Sequence, residues 1–452
     1  MSALEKALQH SKKKQIDECE IVSVKKNITT IRITDSEIAE IKQNFDESFG
    51  IRIIHGGKIA SIQTTKKEDI ENSIDSALST IPNLKPREFW KGLPSTAQNR
   101  NLEGTFDEKL EKISGSEMMD IAQSMINSAN SDKINTITGS LNVVSDLFEI
   151  QNSNGLSFKD KSTYISGIIN AESEHGNLPV SGIGHSSGRT LRNFDAEKVG
   201  KDAKTMCIES INPKKIDSDT YDIIFEPYSV GELLAFVVSS NFNFKIFAEK
   251  KSCFSNNLEE EIAVDNFNLT DDPHVAEGVG TKALDDEGVT TQKNNLIQNG
   301  IFKNTYSNLF DSFKENKKST GNGSRMGSPM GRSSEPITIS APHNLKIDPG
   351  ESTQQDMIKD TKHGILVGRL WYTYAVNPIK GDFSCTARSG VRIIENGEIV
   401  SPGKSVRIIH NLPVMLKNIS DIGNNQQNVI QWASLPSITP SIKAEKIKVT
   451  SI

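Results

Sequence analysis

The chain has 452 residues, with 52 Lys+Arg against 58 Asp+Glu and a formal charge of −6. That length predicts two to four domains, and a composition of 35% hydrophobic and 24% charged residues is low-apolar but globular. An acidic balance without basic runs excludes a nucleic-acid-binding surface, and no segment approaches the roughly 18 uninterrupted apolar residues of a membrane span.

The N-terminus, Met1 to His10, reads as an amphipathic helix without the apolar stretch of a signal peptide. Strands are expected at Cys19–Val24, Ile28–Thr34, Gly50–His55 and Lys58–Gln63, the last two joined by Gly56-Gly57, a pair free to take positive φ. Thr65-Lys-Lys-Glu68 has the spacing of a capping box, with Ile70, Ile74, Ala77 and Ile81 on one helical face behind it. Pro82, Pro86 and Pro94 mark a linker, which Phe89 and Trp90 anchor to a domain surface.

A second capping box, Ser114-Gly-Ser-Glu117, opens the next helix. Strands then dominate from Ile134 to Ile169 around an Asn154-Gly155 turn, and helix returns from Asp195 to Ile211. Tyr221–Phe225 reads as a strand leading into a buried helix over Ser229–Ser240, where Ser229-Val-Gly-Glu232 resembles a third capping box. Short strands with Gly/Asn/Pro turns follow, as at Glu395-Asn-Gly397. The Gly/Ser-rich stretch Gly321–Ser334 predicts mobility.

The four cysteines, Cys19, Cys207, Cys253 and Cys385, are too scattered for a CxxC clip, which predicts reduced thiols and a cytoplasmic location. None of the eight histidines forms an HExxH or HExxxH pair. Gly184-His-Ser-Ser-Gly188 matches the serine-hydrolase elbow, but Pro179 and Gly182 break the approaching strand and no helix follows at once, so a glycine-rich loop is the better reading. Gly278-Val-Gly-Thr-Lys-Ala283 fits the dinucleotide fingerprint without a preceding strand, and a turn is expected there. Asp285-Asp-Glu-Gly288 could hold a hard cation or a peptide amine, or cap a turn facing solvent.

Nearly the whole chain resembles the TldD/PmbA (TldE) family, also called modulators of DNA gyrase. The resemblance rests on Gly50-Ile-Arg-Ile-Ile54, Asn152-Ser-Asn-Gly155, Leu284-Asp-Asp-Glu-Gly288, Leu296-Ile-Gln-Asn-Gly300, Ser319-Thr-Gly-Asn322, Gly381-Asp-Phe-Ser384, Ile394–Ile399 and Pro436-Ser-Ile438, in the family's order. The expected fold is α+β, with small antiparallel-sheet-plus-helix N-terminal domains and a large, mainly-β, barrel-like C-terminal domain. Its expected boundaries are 1–82, a linker over 83–108, 109–216 and 220–452.

TldD-type members are zinc peptidases with an HExxxH helix and a cysteine ligand near the C-terminus, the Glu acting as base. Matching the family's Gly-x-Leu-Leu-His-Glu-x-x-x-His pattern to Gly231–Ser240 puts Ala235 and Ser240 at the histidine positions and Phe236 at the glutamate. The tail Trp432–Ile438 carries no cysteine, and Cys385 lies in a different motif. The resemblance therefore implies the PmbA/TldE branch, with no catalytic residue and no metal ligand in this chain. It implies zinc in a TldD-type partner, a heterodimer enclosing the peptidase site, and unfolded or leader peptides as substrate, with neither nucleic acid nor membrane as partner. Tyr228, Asp285, Asp286, Glu287 and Arg325 are the candidate chamber-lining residues. Two alternatives stay open: a metallopeptidase with a non-standard metal set such as His175, His185 and Asp285, and a free-standing binding or regulatory protein.

Overall fold

The structure is a computed structural model that describes residues 2–95, 102–431 and 435–452. Met1, residues 96–101 of the expected linker and residues 432–434 of the cysteine-free tail lie outside the described residues.

Strands β1 (Glu18–Thr34), β2 (Glu37–His55), β3 (Lys58–Thr64), β4 (Thr136–Asn152), β5 (Ser157–Ser173) and β6 (Val180–Gly188) form one antiparallel sheet, ordered β3-β2-β1-β4-β5-β6. Because β1 pairs with both β2 and β4, the first two expected units share a continuous sheet. The two short strands expected at 19–34 are one strand of 17 residues. The first half of β2 was not foreseen: Glu37–Glu47 is polar and mostly exposed, and is held by pairing with β1 rather than by a buried face.

The turns follow the sequence. Gly56 and Gly57 both take positive φ, and Gly155 does so after Asn154. Ser114 and Glu117 form the expected reciprocal cap on the helix Gly115–Ala129. Thr65-Lys-Lys-Glu68 does not, since a 3-10 turn over Lys67–Asp69 precedes the helix Ile70–Thr80 and no side chain caps it.

The sheet has two buried faces of different character. Ile21, Ile51 and Ile53 pack against the helix Ile70–Thr80, while Ile31, Leu141 and Ile165 pack against the helices Gly115–Ala129 and Ala196–Glu209. Alternation sends Glu20, Lys26, Arg52 and Asp146 to the opposite face, yet these too are buried. Buried charges need partners, and the C-terminal domain supplies them.

In that domain, β7 (Asp219–Phe225), His363–Asn377, Asp382–Glu395, Val406–Asn411 and Ile442–Ser451 close into a five-stranded barrel, because His363–Asn377 pairs with both β7 and Asp382–Glu395. A second, six-stranded sheet of short strands flanks it, including Leu269–Asp271, Leu345–Ile347 and Ser437–Thr439. The α+β expectation with a barrel-like C-terminal domain is borne out.

The segment Gly321–Ser334, expected to be mobile, is packed and largely buried. Its glycines serve close approach instead. At Gly50 on β2 an added Cβ would overlap the Ser334 carbonyl oxygen, and at Gly331 it would overlap the Asp146 carboxylate. The buried Lys26 ammonium donates to the carbonyls of Ser328, Met330 and Arg332.

Candidate functional site

The helix that follows β7 begins at Pro227, earlier than expected, because proline at the first helical position fits a helix start. It runs as α-helix to Leu233, widens into one π turn over Leu234–Val238 and tightens over Ser239–Phe242. Val230, Leu233, Leu234, Val237 and Val238 join one hydrophobic cluster with the barrel residues Phe225, Phe383, Cys385 and Ile408. Glu226 provides no side-chain cap, and the third capping box does not form. The Ser229 hydroxyl donates to the carbonyls of Glu226 and Val367, and Glu232 accepts from the Leu370 N–H at 2.6 Å.

Every residue from Pro227 to Phe242 is buried except Ala235, Phe236 and Ser240. These are the three positions that the family pattern assigns to the metal ligands and the base. They present a methyl group, an aromatic ring that is 37% exposed and a hydroxyl. None is a zinc donor of the usual kind, which is thiolate, imidazole or carboxylate, so the residues present do not fit the metal. The tail docks on the same helix: Gln431 Nε2 donates to the Gly231 carbonyl at 2.7 Å, and an added Cβ at Gly231 would crowd Val429 and Ser437.

Glu232 lies on the buried side of this helix. Burial pushes its carboxyl up to about 8, and neither the Leu370 N–H nor Arg369, at 3.9 Å, offsets that.

The acidic run has another role than an open wall. Asp285, Asp286 and Glu287 have no exposed surface, and Arg325 is 1% exposed. Asp285 accepts from the N–H groups of Glu287, Val289 and Gly323, which makes it the knot of its own turn. Burial and the neighbouring Glu287 charge push its carboxyl up. Asp286 accepts from Lys282, from the Arg325 N–H at 2.8 Å and from Arg332 Nε at 2.9 Å. Burial alone would raise its carboxyl, but Lys282 and Arg332 hold it well below the usual carboxylate range.

Glu287 is the link between domains. It accepts from Arg52 Nη1 at 3.1 Å, from Thr338 Oγ1 at 2.7 Å and from the Leu309 N–H at 2.8 Å. Arg52 also donates to Glu20 at 3.0 Å, and Glu20 takes a second bond from Arg325. Arg332 reaches Asp160 on β5 at 2.6 Å. Carboxylates and guanidiniums therefore alternate across the sheet face into the C-terminal domain. Gly288, at φ +83°, leaves room for Leu156 beside the Asn154-Gly155 turn. Sequence reasoning missed Glu20, Arg52 and Arg332. The available signal for the first two was a single charge between apolar neighbours on a strand, as in Cys19-Glu-Ile21 and Ile51-Arg-Ile53; Arg332, off any strand, offered none.

Tyr228 lies elsewhere, 5% exposed, edge-on to His185 with ring centroids 4.5 Å apart. Both line a cleft of ≈ 380 Å³ shared by β6, the helix Ala196–Glu209 and the barrel. Burial, with Lys198 nearby, lowers His185 to about 4. His175 is exposed on the loop after β5, so the structure does not unite His175, His185 and Asp285. Among the described residues no three His, Cys, Asp or Glu side chains come together as a metal-holding group. No helix among them is long and apolar enough to cross a membrane.

Three family profiles match the chain in succession: PmbA/TldA metallopeptidase domain 1 over residues 19–81, the central domain over 108–210 and the C-terminal domain over 218–451. The chain belongs to the TldD/PmbA metallopeptidase family. It is similar to the metalloprotease PmbA of Escherichia coli O157:H7, with 24% identity over 423 residues, 90% of this chain and 88% of that one. It is also similar to a metalloprotease of Methanothermobacter thermautotrophicus, 23% identical over 409 residues, which span 88% of this chain and 86% of that one. In fold it matches TldE from Thermococcus kodakarensis, with a TM-score of 0.89 and 23% identity over 99% of this chain and 100% of that one. Two of the strings thus acquire a physical reading here: Arg52 of Gly50-Ile-Arg52 and Glu287 of Asp285–Gly288 meet at one buried junction, and Gly288 lies against Leu156 beside the Asn152–Gly155 turn.

Proposed function

We propose that this chain is the non-catalytic, PmbA/TldE-like subunit of a TldD-type zinc metallopeptidase that degrades unfolded or leader peptides. The observation that carries the reading is the helix Pro227–Phe242, whose open positions hold Ala235, Phe236 and Ser240. A hydrolytic zinc site needs three protein ligands, an open coordination position and a base, and these side chains supply none of them. Zinc and base then belong to a TldD-type partner in the cytoplasm, and this chain contributes a wall of the peptide chamber.

The exposed Phe236 supports this. An aromatic ring where the family places its base suits contact with a partner or a peptide better than contact with water. Co-expression with a TldD-type chain, followed by size-exclusion chromatography with light scattering, should give a complex containing both chains in equal number. Separate elution of the two chains at micromolar concentration would remove the subunit reading and favour a free-standing binding protein.

A further inference from the structure

A cleft of ≈ 720 Å³ opens beside the buried junction, whose Arg52 and Thr338 line it, and away from the open face of the motif helix. Its volume falls in the usual range of ligand sites, roughly 300–1,000 Å³. One wall is the sheet, through Arg52 on β2 and Ile59 and Ser61 on β3; the other is the C-terminal domain, through Asn243, Lys245, Ile246 and Ile337–Ser340. Asn243 comes three residues after Ser240, so the cleft begins where the helix with the open positions ends.

We propose that this cleft binds an extended peptide segment with apolar side chains and a carboxylate. Ile337 and Ile339 are 66% and 54% exposed, while Thr338 and Ser340 between and beside them are buried. Ile339 opens a two-residue strand and Ile337 lies two residues before it, so the exposed pair at i and i+2 repeats at the spacing of an extended peptide's own side chains. β3 is the terminal strand of its sheet, with no strand partner on its outer edge among the described residues. An extended chain lying along it meets a strand edge and an apolar pair together.

Charge supplies the second half of the recognition. Arg87 and Lys245 line the cleft; neither makes a salt bridge within 4 Å among the described residues, and Lys245 lies in the field of Glu249 and Asp311. Arg87 instead lies over the Phe310 ring, with its guanidinium 6.0 Å from the centroid. The acids of the cleft are engaged: Glu249 with Lys251 at 2.7 Å, and Asp311 as acceptor from the Ser340 hydroxyl at 3.0 Å. In a chain of net charge −6, a lining with four cations (Arg52, Arg87, Lys245, Lys251) against two acids (Glu249, Asp311) matches a carboxylate rather than a basic group.

The site stands on this chain alone; only its service to peptide degradation rests on the subunit reading above. The test uses the full chain and a dye-labelled heptapeptide, Thr-Leu-Thr-Leu-Thr-Leu-Glu with a free C-terminus, read by fluorescence anisotropy. The same peptide ending in Gln-amide is the comparison. The acid-ended peptide should bind at least about tenfold tighter than the amide. The Arg87→Glu/Lys245→Glu double variant should lose that preference, and Ile337→Ser/Ile339→Ser should weaken both peptides by about tenfold. Lys12→Glu/Lys13→Glu, on the N-terminal helix, should change nothing. No binding, equal binding of acid and amide, or retained preference in the charge-reversed variant overturns the proposal. All variants should still co-elute with a TldD-type chain, so loss of pairing would report on the subunit reading and loss of peptide binding on the cleft.

Discussion

Replacing Arg52 with alanine should lower the unfolding free energy by about 3–5 kcal/mol, the cost of breaking a buried ion pair by removing one partner. The size follows from what the substitution leaves behind. Glu20 keeps Arg325 as a cation, and Glu287 loses its guanidinium donor while Thr338 and Leu309 stay in place. Both carboxylates remain buried, so each bears desolvation with less compensation. Lysine at this position should be intermediate, since a point charge cannot bridge two carboxylates as a guanidinium fork does. Adding Glu20→Gln to the alanine variant should recover part of the loss, whereas a simple packing void would be unmoved by it. Urea denaturation with an unchanged slope gives the number. A loss below about 1 kcal/mol, the worth of an exposed pair, would mean that the junction is not the buried link described above.

The Glu232→Gln variant should change how stability depends on pH. Glu232 has a folded-state pKa of about 8, raised mainly by burial, against about 4.3 for an unperturbed glutamate. Between those values the native chain holds a proton that the unfolded chain has released. Stability from this group therefore falls as pH rises through the window and is level above it. Glutamine is neutral throughout and keeps an acceptor for the Leu370 N–H. The variant's advantage over the natural chain should grow by roughly 3 kcal/mol between pH 5 and pH 8.5, at most about 1.4 kcal/mol per pH unit crossed. Parallel stability curves from pH 5 to 9 would show that Glu232 does not carry this burden.

Much of the local structure was legible because few residues can do what the backbone requires. Gly56-Gly57 and Asn396-Gly397 take left-handed φ at their turns, where other side chains are strained. Ser114 and Glu117 cap a helix because hydroxyl and carboxylate sit three residues apart. What failed was information stored in partners rather than in neighbours along the chain. The outer half of β2 has no apolar period of its own and extends because β1 is beside it. Glycine density at Gly321–Ser334 reads as freedom in a sequence, yet in the fold it allows the backbone to approach Lys26 and Asp146. Asp285–Glu287 reads as a solvated charge run until Arg52 and Arg332 arrive from distant segments and join Lys282 of the same turn. The motif helix was placed correctly, but only the packed structure distinguishes its open positions from its buried ones.

The measurement that bears most directly on the central claim compares this chain alone, a TldD-type chain alone and the two together, in zinc content and in chelator-sensitive cleavage of an unfolded peptide. The chain alone should carry no stoichiometric zinc and cleave nothing. The mixture should cleave, and should lose activity when the partner's HExxxH glutamate is replaced by glutamine. Stoichiometric zinc together with chelator-sensitive cleavage by this chain in the absence of any partner would contradict the account.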